Sequence, residues 1–190
     1  KLREEFNLPE NLVRKIKKQA EESMGASIDL DIVQGFAKKI ISMNSYQEQL
    51  EDYLDELMEV TAPNMKAIIG SLIAAKLIAK AGSLKKLAFM PASRIQLLGA
   101  EKALYRFLKT GEKRPKHGLI FQWNQIRGSK PWLRGNIARL IAGKLGICAK
   151  VDYFSGEFIG DEISGEIEQK IAQLKEKYPE PPKGKQSRRK

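Results

Sequence analysis

The sequence predicts an all-α protein, and three observations support this. Apolar residues of the first third repeat at steps of three and four over several heptads, and later runs also keep a helical period. Only one short run, HGLIFQW, has the composition of a β-strand. We therefore expect a long antiparallel coiled-coil arm followed by a compact helical domain.

The first third is expected to form the arm, with a short helix over residues 10–24 and a long helix over residues 30–61. The seam of the long helix spans three to four heptads, which exceeds the length of an ordinary globular helix. Two arrangements fit: a single amphipathic helix packed on its own domain, or an arm onto which the earlier helix folds back and through which two copies pair. The residues expected to mediate dimerisation are Phe36, Ile40, Met43, Gln47, Leu50, Leu54 and Leu57.

A second domain is expected to begin at Pro63, because proline breaks the preceding helix. Residues 64–82 predict a central buried helix that ends with Gly82 in a left-handed conformation. Shorter helices are expected around Pro91 and over 100–109, followed by helices over 135–149 and 156–177. The apolar residues of the helix over 135–149 that are expected to face inward are Ile137, Ala138, Ile141, Ala142 and Leu145. The predicted division is 1–62 for the arm, 63–178 for the helical domain and 179–190 for a disordered basic tail.

Net charge is +11, and its distribution along the chain is uneven. Residues 1–62 hold 8 basic and 13 acidic side chains, residues 63–150 hold 18 and 2, and residues 151–190 hold 8 and 8. A solvated surface normally mixes both signs, so the middle segment predicts a polyanionic partner. Nucleic acid fits better than an anionic membrane, because the basic residues are spread over loops and several helices instead of one amphipathic face.

Composition disfavours an enzyme. The single cysteine, Cys148, lies in an apolar helical run and is expected to pack in the core, and the single histidine, His117, lies in a predicted loop. A hydrolase triad or a zinc site needs more such groups, so we expect neither catalysis nor a metal or other cofactor. No signal peptide or membrane span is recognisable, and the start at Lys1 without methionine indicates part of a longer protein.

The helix expected after Gly99 offers an anion site at its amino end. Its first amide hydrogens lack intrahelical partners, glycine permits close approach of a phosphate, and Lys102 adds a charge. Ala100 would lie in the same turn, and Glu101 could either cap the turn or accept a hydrogen bond from a base or a partner amide. Other candidate RNA contacts are Arg94, Lys109, Lys116, His117, Arg127, Lys130, Arg134 and Arg139.

Two further features could contact bases. If HGLIFQW were a strand, Gln122 and Asn124 would point away from the core, where their amides could read base edges. They could equally be polar residues at the end of a strand. Trp132 is either a stacking platform for a base or a lid over the core.

Several motifs together resemble one family: APNMKAIIG, MPASRIQLLG, GAEKALYRFLKTG, PKHGLIFQ and RGNIARLIAGKLGICAKVDYFSGE. The segment from about Leu30 to Tyr178 is similar to the Nop domain and coiled coil of the archaeal box C/D ribonucleoprotein core protein. The resemblance implies an all-α Nop domain that binds kink-turn guide RNA together with a small ribosomal-type kink-turn-binding protein. It also implies a coiled coil that pairs two copies.

By position, Gly99, Ala100, Glu101 and Lys102 match the family signature and are expected at the junction between RNA and protein. The neighbouring residues expected to contact the small protein are Leu97, Leu98, Ala103 and Arg106. Gln122 stands where relatives often place histidine, which favours hydrogen bonding over stacking. In the family, a separate amino-terminal domain outside these residues binds the methyltransferase fibrillarin, and the assembly directs RNA 2′-O-methylation.

Three hypotheses follow: a non-catalytic ribonucleoprotein scaffold, an independent RNA-modifying enzyme and a coiled-coil adaptor that never meets nucleic acid. The scaffold explains the basic middle segment, and the family resemblance favours it. A spliceosomal-type relative that binds a different kink-turn RNA is the alternative within the family. The expected location is cytoplasmic in an archaeon and nucleolar in a eukaryote.

Overall fold

The computed structural model describes residues 9–22, 30–111 and 114–181, and these residues are helical, with no β-strand among them. The helices are α1 (Glu10–Glu22), α2 (Leu30–Thr61), α3 (Pro63–Ile69), α4 (Ser71–Ala81), α5 (Leu84–Ala88), α6 (Ala92–Leu97), α7 (Glu101–Thr110), α8 (Asn124–Arg127), α9 (Arg134–Phe154) and α10 (Gly160–Lys177), with a 3₁₀ turn at Leu119–Gln122. The predicted all-α class is therefore confirmed.

Contacts divide the chain into two compact units, Lys1–Tyr46 and Gln47–Lys190. In the first unit, α1 buries none of its residues. The predicted domain boundary after residue 62 falls inside the second unit, because Met58 and Ala62 belong to its core. Along the predicted seam, Phe36, Met43 and Leu50 are exposed, whereas Leu54 packs against that core.

The core of the second unit is built around α9, which packs against α3, α5, α6 and α10. Its inward positions repeat at steps of three and four, as a helix with one buried stripe requires. These positions were predicted correctly, and all are fully buried: Ile137, Ala138, Ile141, Ala142 and Leu145. Cys148 is also buried, and burial raises the pKa of its thiol to about 12, as expected of a core residue.

The predicted central helix over residues 64–82 is instead two helices, α3 and α4, which meet at Gly70. Gly70 adopts φ 78° and ψ 157°, a positive-φ conformation that interrupts the helix and that favours glycine. Gly82 ends α4 in the left-handed conformation that the sequence predicted. The sequence pattern therefore located the buried apolar surface, and it missed the change of direction at Gly70.

A buried polar cluster joins α3 to the end of α9. The Asn64 side chain has no exposed surface, and its amide nitrogen donates to the Asp152 carboxylate and the Glu157 carbonyl, each at 2.7 Å. Asp152 also accepts from the backbone amides of Asn64 and Met65, at 3.0 and 3.1 Å. Because Ala62 makes no side-chain cap, Asp152 satisfies the amide hydrogens at the start of α3.

The segments before α7 and before the 3₁₀ turn cross at close range. A Cβ atom added at Gly118 would lie 2.1 Å from the Leu98 carbonyl oxygen, and one added at Gly99 would lie 2.5 Å from Leu119 Cγ. Gly99 also has φ 89°. Both positions therefore require glycine for the packing of the chain on itself, which differs from the phosphate approach predicted for Gly99.

We predict that Gly118→Ala lowers the free energy of unfolding by about 2–3 kcal/mol, because the added methyl group must displace backbone. Urea denaturation measures this change. The matched control is Gly143→Ala within α9, where an added Cβ meets no atom within 4 Å. Helix propensity should make that control more stable by about 0.5–1 kcal/mol. If the two substitutions changed the free energy of unfolding equally, the close contact between Gly118 and the Leu98 backbone would be contradicted.

Candidate nucleic-acid interface

The crossing holds together two motifs that are far apart in the predicted RNA-binding segment. The Gly118 amide donates to the Gln96 carbonyl at 2.8 Å, and the Leu119 amide donates to the Leu98 carbonyl at 2.8 Å. The Gln96 side-chain amide also donates to the Lys116 carbonyl at 2.6 Å. These bonds place the start of GAEKALYR beside PKHGLIFQ, so basic residues of both motifs share one region.

Glu101 holds the turn that precedes α7, and the N-cap residue of the helix, Ala100, makes no side-chain cap. Its carboxylate accepts a hydrogen bond of 2.8 Å from the Gly99 amide, and the Lys80 ammonium lies 3.5 Å away. The Gly99 hydrogen bond, assisted by the Lys80 charge, lowers the pKa of the Glu101 carboxyl. The Glu101 carboxylate thus holds the turn before the helix, one of its two predicted roles, and a phosphate at this turn would meet a negative charge already in place.

The exposed face of α7 is basic. Lys102, Arg106 and Lys109 are exposed, and their side chains make no hydrogen bond or ion pair with any described residue. Leu104 and Phe107 are half-buried on the opposite face. Ala103, a predicted contact of the small protein, and Leu108 are exposed as well. A short helix with one half-buried face and unpaired cations on the other suits a polyanion.

A stack of three side chains follows the crossing. The His117 and Phe121 rings are parallel within 11° with centroids 4.3 Å apart, and the Arg134 guanidinium carbon lies 5.5 Å from the Phe121 centroid. Burial, together with the Arg134 charge, lowers the pKa of His117. Arg134 also donates to the Ser129 and Arg127 carbonyls, at 2.9 and 3.1 Å. Its guanidinium therefore binds the backbone of the turn over residues 127–129, a role that the sequence did not predict.

The predicted strand at HGLIFQW is wrong, because residues 119–122 form a 3₁₀ turn and α8 begins at Asn124. The predicted facing nevertheless holds: Gln122 and Asn124 are exposed, and Phe121 and Trp123 pack against the core. The Gln122 amide oxygen accepts from the Lys76 ammonium at 3.2 Å. Lys76 was not predicted as a site residue, since its helix was interpreted only as core.

Trp132 braces the end of α10. Its indole nitrogen donates to the Tyr178 carbonyl at 3.1 Å, and Lys130, 5.3 Å from the ring centroid, donates to the Pro179 carbonyl at 3.2 Å. The half-buried ring packs against the core, as a lid does, and part of its surface stays open to the solvent.

The remaining predicted site residues separate into buried and exposed groups. Leu98 is 6% exposed and belongs to the core, so the prediction that its side chain contacts a partner does not agree with its position. Leu97 is half-buried beside Arg94, which lines a groove of about 470 Å³ together with Glu101 and Leu104. Arg127 donates to Asn124 at 3.4 Å.

A basic all-α domain in which two motifs bring cations into one region is typical of a nucleic-acid-binding protein. A family model described as "Nop: snoRNA binding domain, fibrillarin" matches residues 1–173. The chain therefore belongs to the Nop family, and the resemblance stated from the sequence is confirmed.

The chain is similar to proteins from archaea and fungi. It is 44% identical over 177 residues to an uncharacterized NOP5 family protein of Methanocaldococcus jannaschii, which covers 92% of this chain and 42% of that protein. It is 41% identical over 176 residues to nucleolar protein 58 of Scheffersomyces stipitis, covering 88% of this chain and 34% of that protein. The chain thus spans less than half the length of these relatives.

A chain in the crystal structure of a fibrillarin/Nop5p complex has a similar fold. The TM-score is 0.63 at 33% sequence identity, over 86% of this chain and 61% of the other. Among the described residues, no helix is both long and apolar enough to cross a membrane.

We predict that stability falls on acidification below pH 6.5 because of His117. The folded state binds this proton at lower pH than the unfolded chain, whose histidine has the ordinary pKa of 6.5. The contribution of neutral His117 to the free energy of unfolding is therefore complete above pH 6.5 and is lost as pH falls through the folded pKa. The pH dependence corresponds to at most about one proton taken up on unfolding. Urea denaturation across pH 5–8 measures it.

His117→Phe keeps a flat ring on Phe121 and removes the only histidine. The difference in unfolding free energy between wild type and this variant should change with pH below 6.5 and stay constant above it. A difference that is constant over the whole range would refute the assignment.

Proposed function

We propose that the chain is a non-catalytic scaffold of a box C/D-type ribonucleoprotein that binds kink-turn guide RNA together with a small kink-turn-binding protein. The observation that carries the proposal is the charge of residues 63–150, with 18 basic and 2 acidic side chains in a Nop-family domain. One of the two acids, Glu101, already accepts a hydrogen bond from the Gly99 amide and lies 3.5 Å from the Lys80 ammonium. A surface with so little negative charge suits the phosphate backbone of RNA.

The geometry of α7 supports a phosphate contact on its side. The Glu101 carboxylate lies at the turn before the helix, while Lys102, Arg106 and Lys109 extend from the exposed face of the helix without partners among the described residues. Phosphate contacts of this kind position a protein on RNA without reading its sequence. We therefore assign Lys102 and Lys109 to the RNA backbone.

The small protein is proposed to pack beside the RNA, at the groove between α6 and α7. This groove combines the apolar surfaces of Leu97 and Leu104 with the charges of Arg94 and Glu101. Mixed apolar and charged surface is usual at the rim of a protein–protein interface. A composite surface of RNA and protein would meet both parts of the chain at the same time.

The competing proposal, an independent RNA-modifying enzyme, has weaker support. General acid–base chemistry needs carboxylates or imidazoles free to transfer protons. Glu101 is held by Gly99 and Lys80, and His117 is stacked on Phe121. The chain's relatives are named as NOP5 and nucleolar protein 58, which also favours the scaffold.

Fibrillarin is proposed as a partner of the full protein. One solved relative is Nop5p in complex with fibrillarin. We assign the fibrillarin contact to a part of the protein outside these residues, so that the scaffold places the methyltransferase for RNA 2′-O-methylation. The location is proposed to be nucleolar in a eukaryotic cell and cytoplasmic in an archaeal one.

Self-association is proposed to use the seam of α2. Phe36 and Met43 are 67% and 72% exposed, and Leu50 is 49% exposed. Large apolar side chains repeated at heptad spacing along one helix are typical of a helix–helix contact.

The first test measures assembly of the chain on a kink-turn RNA that carries the small kink-turn-binding protein. Lys102→Ala should weaken this assembly by about tenfold, because one charge-assisted contact is lost. The slope of log K against log salt concentration should also become less steep, by about 0.7–0.9. Fluorescence anisotropy over a salt series provides both values.

Lys39→Ala is the control for this test, because Lys39 is exposed on α2, outside the basic domain. Its assembly constant should match that of wild type. Wild-type binding that is equally strong with and without the small protein would argue against a composite surface.

The second test addresses the seam. Met43→Lys combined with Leu50→Lys should abolish any dimer seen by sedimentation, because charges would replace the apolar contacts. Val60→Lys is the matched control, since Val60 is 85% exposed on the same helix but outside the seam. A dimer that survives the double substitution would place self-association elsewhere.

A further inference from the structure

A cleft of about 340 Å³ lies between α6, residues 114–116 and the first turns of α9. It is separate from the exposed face of α7. Its volume is at the lower end of the range for small-ligand sites, about 300–1,000 Å³. The side chains that matter for its chemistry are Gln96, Arg114, Lys116, Trp132, Asn136 and Arg139.

The cleft carries positive charge that nothing in the described structure neutralises. Arg114, Lys116 and Arg139 line it, and no acidic residue among those that the structure describes does. None of these three side chains makes a hydrogen bond or an ion pair with a described residue, in contrast to Lys66 and Lys144, which pair with carboxylates. Guanidinium groups present planar donors that match phosphate oxygens in a bidentate manner.

Neutral groups in the cleft can bind a base. The Gln96 amide nitrogen is used by the Lys116 carbonyl, which leaves its oxygen as an acceptor, and the half-buried Asn136 amide has no partner among the described residues. Trp132 supplies an aromatic wall, and the hydrogen bond to Tyr178 fixes its ring. Arginine, amide and aromatic groups together are typical of sites for single-stranded RNA.

We propose that this cleft binds one nucleotide of single-stranded RNA. The phosphate lies between Arg114 and Arg139, the base lies against Trp132, and the Asn136 amide contacts the base edge. An acidic peptide would satisfy the arginines but would leave the ring and the amides unmatched. The inference rests on the proposed function only for its ligand class, and it adds a contact outside the kink-turn site.

The positive surface continues from the cleft along α10. Asn136 and Arg139 also line an adjoining groove of about 480 Å³, together with Lys177, which has no carboxylate partner among the described residues, and Lys170, which pairs with Glu166. A strand that enters the cleft can therefore extend toward Lys177 without crossing the apolar core. This continuity favours a chain of nucleotides over a free mononucleotide.

The probe for the test is an eight-nucleotide oligouridylate, measured against the whole chain by fluorescence anisotropy. Arg114→Gln and Arg139→Gln should each weaken binding by about tenfold, because each removes one charged contact. The double variant should lower the slope of log K against log salt concentration by about 0.7, because both arginines contact the same phosphate and single-stranded RNA contributes about 0.7 for each neutralised phosphate. Lys150→Gln is the matched control, because Lys150 is exposed on α9 and does not line the cleft.

A second readout follows the base directly. The chain has two tryptophans, so Trp123→Phe leaves Trp132 as the only one. Oligouridylate should quench its fluorescence, and adding Arg139→Gln should remove the quenching at the same RNA concentration. Thermal unfolding of each variant confirms that it is folded, which we expect because Arg114 and Arg139 have no described partner to lose.

Three results would overturn the inference: equal affinities of Arg114→Gln and Lys150→Gln, unquenched Trp132 with saturating oligouridylate, or stronger binding of a polyglutamate peptide than of the RNA. If Lys102→Ala weakens kink-turn assembly while the cleft variants bind oligouridylate normally, only this inference fails. If Lys102→Ala has no effect and the cleft variants lose binding, the proposed kink-turn contact fails and the cleft stands.

Discussion

The second unit of the chain depends on the close approach of two backbone segments, residues 96–99 and 116–119. Three hydrogen bonds join them, and the Leu98 carbonyl occupies the space that a side chain at Gly118 would need. The basic helix α7 starts immediately after the first segment, and the His117–Phe121 stack follows from the second. Without this approach, the two most basic motifs would not share one region.

Charge in the domain is divided between pairs that support the fold and cations that remain free. Lys66 contacts Asp55 and Glu59, and Glu166 contacts both Lys144 and Lys170. The cations of α7 and of the cleft beside α9 have no such partners in the part of the chain that the structure describes. Unpaired like charges repel one another and destabilise a compact state. Their concentration in one segment is therefore better explained by an anionic partner than by stability.

Sequence reasoning succeeded where one periodic signal decided the outcome. The bounds of α2, the inward face of α9 and the helical cap at Gly82 all follow from spacing or from glycine chemistry. It failed where contacts distant in sequence decide. Gly70 splits an apolar run into two helices, and residues 119–122 form a 3₁₀ turn because their backbone is held against residues 96–98. Leu98 and Arg134 looked available for partners, and tertiary packing uses both within the fold. The cleft beside α9 could not be predicted, since it combines residues from three separate segments.

The central claim is that RNA meets this chain through residues 94–139. Ultraviolet cross-linking of a kink-turn RNA assembled with the chain and the small kink-turn-binding protein, followed by mass spectrometry of the linked peptides, tests it most directly. The account predicts that cross-linked peptides concentrate within residues 94–139. Cross-links concentrated in residues 30–61, with none in that region, would contradict it.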